Sequence, residues 1–214
     1  IRGSVNNLVG DGFSSGNVLM QYMTQVREPS IDRYRLGSTS TWDNGYANLR
    51  NVQNLLDIAN ERGLDNYKAV AKIMRALLFS RMTDGYGNLP YKEALQGKKG
   101  IAGGPVVYLP KFDTQDVIYA GLIKELKEAN LLLDAKKGLI KNDILFNGDV
   151  LKWKIFANSL CMRLLLRRSN KVDPSADMRE MLANPTTYPL MDVLAHNAAL
   201  KYVEAPNLFP LTAT

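Results

Sequence analysis

The sequence predicts an all-α protein built from antiparallel helix pairs with long loops between them. Three observations carry that expectation: four long segments with helical spacing of apolar residues, stops rich in glycine or proline between them, and no sustained two-residue alternation from which a hairpin could be read. A short helix is expected near 15–26. In the first long segment Tyr46, Leu49, Val52, Leu56 and Ala59 recur by threes and fours, and Gly63 marks the stop. Val70, Ile73, Leu77 and the run Phe79 to Met82 predict a second helix over about 65–83, with Asp65 as N-cap. Asp84-Gly85-Tyr86-Gly87-Asn88-Leu89-Pro90 is turn chemistry that ends it. Ile118, Leu122, Leu126, Ala129 and Leu133 mark a third helix, capped by Asp113 or Thr114 and followed by Gly138. Trp153, Phe156, Leu160 and Leu164 mark a fourth over about 149–168; with Ile155, Ala157, Met162 and Leu165 it is apolar nearly all round and is expected at the centre of the fold. Further short helices are expected near 175–183 and 190–200. The Gly/Pro-rich loop 97–110, between the second and third helices, is longer than compact helical domains usually tolerate without a functional reason. Paired helices of similar length suggest a repeat, though no strict 34-residue self-similarity is present.

With 214 residues, 46% hydrophobic and 22% charged, the chain can bury a substantial core, and disordered or collagen-like classes are excluded. No stretch approaches the ~18 consecutive apolar residues of a membrane span; the best candidates are broken by Lys124 and Lys127 or by Arg163 and Arg167. One cysteine excludes an internal disulfide. The 27 Lys and Arg against 21 Asp and Glu leave a net +6, but the densest basic tract, Arg163, Arg167, Arg168 and Lys171, is interleaved with leucines rather than stacking aromatics. It reads as a basic helix C-terminus and not as a nucleic-acid footprint. Ile1 is not a Met and opens no signal segment, and Asn207-Leu208-Phe209-Pro210 carries no structural stop, so both ends are expected to be cuts in a longer chain.

No catalytic signature survives inspection. His196 has no second histidine with which to bind zinc, and Cys161, between Leu160 and Met162, is expected to be a buried inert thiol. Gly97-Lys98-Lys99-Gly100 lacks the Gly-Lys-Ser/Thr ending of a phosphate loop, and Asp84-Gly85-Tyr86-Gly87-Asn88 lacks the closing glutamate of a calcium loop. No catalytic residue, metal or cofactor is expected. One stretch does suggest a ligand. Tyr34, Trp42 and Tyr46 lie with Arg33 and Arg35 in a Ser/Thr/Gly/Asn-rich segment ahead of a long helix. Aromatic faces stack on the apolar faces of sugars, and Arg or Asn makes directional hydrogen bonds to hydroxyls. Trp42, Tyr34, Arg33 and Asn44 are therefore the candidate ligand-binding residues, against the competing reading that Trp42 and Tyr46 merely open a helix into the core.

Four blocks then carry a family resemblance. Trp42 to Asn51 resembles the helix-opening Trp/Tyr/Asn segment of the SusD/RagB outer-membrane nutrient-binding lipoproteins of Bacteroidetes. Ile73 to Ala94 is similar to that family's helix followed by Thr-Asp-x-Tyr-Gly-x-x-Pro-Tyr. Pro110 to Tyr119 resembles the next helix opening, and Asp143 to Trp153 with Phe156 to Arg167 resembles the fourth. The blocks occur in the family's order over 42–168. The resemblance implies a tetratricopeptide-like, superhelical SusD-like scaffold, with 1–214 as the N-terminal helical-repeat portion of a longer domain. It implies a non-enzymatic protein on the outer-membrane surface, lipid-anchored through a segment outside this chain. Such a protein hands an oligosaccharide, or for some members a peptide, to a TonB-dependent SusC-like transporter, and it binds no nucleic acid. Outside the resemblance, a helical-repeat protein–protein adaptor and a helical glycan-degrading enzyme remain the alternatives.

Overall fold

The computed structural model describes residues 2–11, 16–24, 41–97 and 106–200. Helices α1 (Arg2–Asp11) and α2 (Asn17–Leu19) precede four long ones: α3 (Thr41–Glu61), α4 (Asp65–Tyr86), α5 (Gln115–Leu132) and α6 (Val150–Arg168), with α7 (Ser175–Ala183) after them. A two-residue strand β1 (Leu89–Pro90) pairs antiparallel with β2 (Phe112–Asp113), Leu89 opposite Asp113 and Pro90 opposite Phe112.

Side-chain links fix the helix directions. Tyr46 meets Phe79 and Gln53 meets Arg75, so α3 and α4 run antiparallel. Tyr119 bonds Asp84, Glu125 pairs with Arg75, and Glu128 pairs with Lys72: positions rise along α5 as they fall along α4. Arg167 reaches Tyr119, and Asn158 donates to Asn130 at 2.9 Å, so α6 reverses again. The long helices therefore alternate in direction, as the sequence predicts.

Helix α4, not the fourth helix α6, is the central one. Alpha-4 packs on both α3 and α5, and Ile73, Met74, Phe79 and Met82 are each no more than 1% exposed. Alpha-6 buries Trp153, Leu160 and Leu164 but leaves Leu151 and Leu166 more than half exposed, because its outward side has no neighbour among the described residues. Burial of each such aliphatic or aromatic side chain contributes about 2 kcal/mol, and α4, enclosed on two sides, places its buried side chains against both neighbours.

Several local expectations are corrected. Asp65 is the first residue of α4 rather than its cap; Leu64 takes that position, and the Asp65 carboxylate pairs with Lys68 and Lys137. Those two ammonium groups, with Lys137 the stronger, hold Asp65 below the usual carboxylate range. Alpha-4 continues to Tyr86, and Gly87 (φ 73°) ends it. Thr114 occupies the N-cap position of α5 without a side-chain cap; Asp113 instead accepts from the Tyr91 and Lys92 N–H groups and ties down the chain after β1. The segment expected to be helical at 190–200 holds only a 3-10 turn, Leu194–His196, and of the one expected near 15–26 the described residues 16–24 hold the short α2. Helix α1 was not expected, although Val5, Leu8 and Val9 follow helical spacing and pack on the core. Most of the loop 97–110 lies outside the described residues.

Two polar anchors set the helix ends. Asn66, 4% exposed, donates to the carbonyls of Asp134 and Gly138 and accepts from the Asp134 N–H, clamping the end of α5 to the start of α4. Asp143 accepts from the N–H groups of Leu145, Phe146 and Gly148 and from the Trp153 indole at 2.7 Å. Gly148 is required there: its φ is 84°, and a Cβ would lie 2.8 Å from the Ile140 carbonyl oxygen. Asp149 then caps α6 by accepting from the Lys152 N–H.

Replacing Asp143 with Ala strands the Trp153 indole and three backbone donors together, so Asp143→Ala is expected to destabilise the fold by about 3 kcal/mol, read as a lower urea midpoint with the slope unchanged. Cys161 is 1% exposed and burial pushes its thiol up to about 11. The native protein should thus be inert to a disulfide reagent at neutral pH and react only on unfolding; rapid native-state labelling would contradict the packing.

Candidate functional site

The first turn of α3 presents Trp42, and tertiary packing surrounds it with rings from distant parts of the sequence. Tyr46 lies edge-on with ring centroids 5.1 Å apart, Tyr86 edge-on at 5.2 Å, and Phe112 nearly parallel at 6.2 Å with 21° between planes. Trp42 and Tyr46 are half-buried against the core, while Tyr86 is 40% and Phe112 64% exposed. The result is an aromatic platform, anchored on one side and open to solvent on the other.

Each ring is held by an identifiable local device. The Tyr46 hydroxyl donates to the Pro90 carbonyl at 2.8 Å, fixing α3 against the β1–β2 ladder; burial pushes the Tyr46 phenol well above its usual range, which keeps it a donor. The register Pro90 opposite Phe112 presents the Phe112 ring on the solvent side. Tyr86 ends α4, where Thr83 bonds the Gly87 carbonyl, Gln115 Nε2 donates to the Thr83 carbonyl, and the Gln115 N–H donates to Asn88. Below the platform, Tyr46 meets Phe79 and Phe79 meets Tyr91, each edge-on. The Tyr91 hydroxyl donates to Glu125, and its phenol is raised chiefly by burial and then by the Glu125 charge.

Of the four residues that the sequence singles out, the structure places Trp42 in this platform. Asn44, two positions on, opens to the other side of α3, on a narrow cleft beside Ser4, Leu8 and Arg81. Helical geometry forces that separation, since positions i and i+2 point nearly opposite ways. Tyr34 and Arg33 lie outside the described residues. Sequence reasoning missed Tyr86 and Phe112 as members of the group. A signal was available in their position, since each flanks the turn-rich segment between α4 and α5, but nothing local says which ring faces Trp42.

A second polar group joins three helices. Asp84 on α4 accepts from Tyr119 on α5 at 2.5 Å and pairs with Arg167 on α6 at 2.9 Å, and Arg167 also donates to the Tyr119 oxygen. These groups satisfy one another beside a cleft of about 260 Å³. No group of three or more His, Cys, Asp or Glu suited to a metal ion occurs among the described residues. None of the described helices is long and apolar enough to cross a membrane.

A family profile described as "Starch-binding associating with outer membrane", of SusD-like type, matches residues 4–214. A SusD homologue from Bacteroides fragilis is 27% identical with a TM-score of 0.74, the match covering 97% of this chain and 45% of that one. A candidate outer membrane protein from Bacteroides vulgatus, linked to nutrient binding, is 28% identical with a TM-score of 0.69, over 95% of this chain and 45% of that one. A chitin-binding protein is 30% identical with a TM-score of 0.67, over 85% of this chain and 39% of that one. The chain thus spans less than half the length of these structures. No curated protein matches it. The all-α architecture, the matched profile and these structural neighbours agree, and the chain belongs to the SusD-like (SusD/RagB) family.

Proposed function

We propose that this chain is the helical part of a non-enzymatic, surface-exposed glycan-binding protein of the outer membrane. In this reading it captures an oligosaccharide and passes it to a TonB-dependent SusC-like transporter, while a lipid anchor outside the chain holds it at the membrane. The observation that carries the reading is the aromatic platform. Trp42, Tyr86 and Phe112 expose ring faces and edges that are pinned from behind by Tyr46 and the β1–β2 ladder. Such rings meet the apolar C–H faces of a sugar without losing much side-chain entropy, because packing has already ordered them. A chitin-binding structural neighbour and a family described as starch-binding support a glycan over a peptide.

Trp42 is the centre of the proposed surface. Tyr34 and Arg33 belong to the same proposal, since the segment that carries them leads directly into α3; Asn44, on the other side of the helix, does not belong to the platform. Family membership supports handover to a transporter and a lipid anchor, and the outward faces of the paired helices are proposed as the docking side.

Titration calorimetry of the full chain with maltoheptaose and with chitohexaose tests the reading. Trp42→Ala is expected to weaken binding at least about tenfold, and Phe112→Ala by a smaller factor; because one side of the Trp42 ring packs on Tyr46 and the core, its variant also unfolds at a lower midpoint, and binding is compared well below both midpoints. A well-folded Trp42→Ala variant with full affinity would remove the platform from the proposal, and release of reducing ends from either sugar would overturn the non-enzymatic assignment.

A further inference from the structure

A separate polar cleft lies farther along the same side of α3, about three helical turns from Trp42. Its volume is about 220 Å³, and α3, α4, α5 and the turn after β1 all contribute to it. Its back wall is a hydrogen-bonded chain. Arg75 Nε and Nη2 pair with the two Glu125 oxygens at 3.3 and 3.2 Å. Arg75 Nη1 donates to Gln53 Oε1 at 2.7 Å, and Gln53 Nε2 passes the chain on to Asp57 Oδ1 at 2.8 Å. The Tyr91 hydroxyl donates to Glu125 from the other end at 2.8 Å. The guanidinium also lies over the Phe79 and Tyr91 rings, 5.2 and 5.8 Å from their centroids, so it is fixed in plane and position.

Three properties narrow what such a cleft can hold. The first is charge. Arg75 is paired with Glu125, Lys72 with Glu128, and Lys92 lies 4.0 Å from Asp113. The cations are thereby compensated, and a small anion gains no net field there. The second is lining. Leu56, Ala94 and Leu95 supply an apolar strip beside amide and carboxylate groups, which suits a ligand with both C–H faces and hydroxyls. The third is backbone conformation. Leu95 lines the cleft with a φ of 63°, a left-handed conformation that is unfavourable for a branched side chain and is kept where surrounding structure demands it, often at ligand sites. Gly121 contributes to the same precision: a Cβ there would lie 2.6 Å from the Tyr91 hydroxyl, so α5 can approach the Tyr91 ring only with glycine at this position.

We propose that this cleft is a second binding site, taking a neutral hydroxyl-rich unit, one sugar residue or a short oligosaccharide end. Gln53, Asp57, Lys92 and Gln96 read the hydroxyls in front of the fixed Arg75–Glu125 pair. We take the ligand class from the glycan reading above and the location from the cleft itself. The line of rings Trp42, Tyr46, Phe79 and Tyr91 connects the platform to this cleft through the core, so the two sites hold a fixed spacing.

The test follows the side-chain amide signals of Gln53 and Gln96 and the indole signal of Trp42 by NMR. Maltose and diacetylchitobiose are titrated into the full chain up to millimolar concentration. At least one of them is expected to shift both glutamine signals along a saturating curve. Gln96→Phe, which fills the cleft from the half-buried turn after β1, should weaken the response at Gln53 at least about tenfold and leave the Trp42 indole response as it is in the unsubstituted chain. Shifts confined to Trp42 would overturn the cleft and leave the platform standing. Shifts at Gln53 that survive Gln96→Phe undiminished, or no shift at either glutamine with both sugars, would also overturn it. A response at the glutamines with none at Trp42 supports the cleft and counts against the platform alone.

Discussion

Helix α4 carries apolar side chains around most of its circumference, so a single neighbour cannot remove them from water. Alpha-3 and α5 have to close on it from two sides before Ile73, Met74, Phe79 and Met82 are all desolvated. That requirement sets the order of the layers and the antiparallel sense of the helices on either side. It also determines where polar groups on α4 can go. Arg75 cannot reach water freely along the α4–α5 seam, and it is accommodated by a bidentate pair with Glu125, whose side chain is 16% exposed. A charge so placed is tolerated because both partners are hydrogen-bonded and geometrically fixed, and removing one would leave the other uncompensated.

The residues of the four motif blocks are mostly scaffold. Asp143, Gly148, Asp149 and Trp153 form one turn-and-cap unit at the start of α6. Thr83, Gly87 and Gln115 lock the end of α4 to the beginning of α5, and Asp84, Tyr119 and Arg167 join three helices. These groups satisfy buried or partly buried polar atoms where helices end, which is where an all-helical protein has the most unpaired backbone groups to place. The proposed binding features sit at the margin of that scaffold. Trp42 is half-buried because the same ring serves both: one side packs on Tyr46 and the core, and the other stands beside Tyr86 and Phe112 at the surface. The competing readings of Trp42, core residue or surface residue, are therefore each true of part of the ring.

Rigid support bears on the proposed binding. A binding surface made of aromatic rings gains affinity only to the extent that the rings need no ordering when ligand arrives. The Tyr46–Pro90 bond and the two-residue ladder hold the platform from behind, and Asp113 holds the chain after β1 by two backbone N–H groups. Small elements, two residues per strand, thus decide the geometry of the surface that the long helices only carry.

The amino-acid sequence by itself determined the all-α class, the extents of α3 to α7 to within a few residues, and the family, because helical periodicity and turn chemistry are local and the four motif blocks are contiguous. It also singled out Trp42, whose part in binding is a proposal. It did not reveal that α4 is enclosed more fully than α6, since a helix with apolar residues nearly all round reads the same however completely its neighbours cover it. Nor did it reveal that Asp65 pairs with lysines instead of capping, because Lys137 reaches it from the far end of α5. The meeting of Trp42 with Tyr86 and Phe112, and of Gln53 with Arg75, Glu125 and Tyr91, was decided only by tertiary structure. These contacts join residues from different elements, and the register between packed helices depends on how their side chains interlock across the whole core, which no local window of sequence contains.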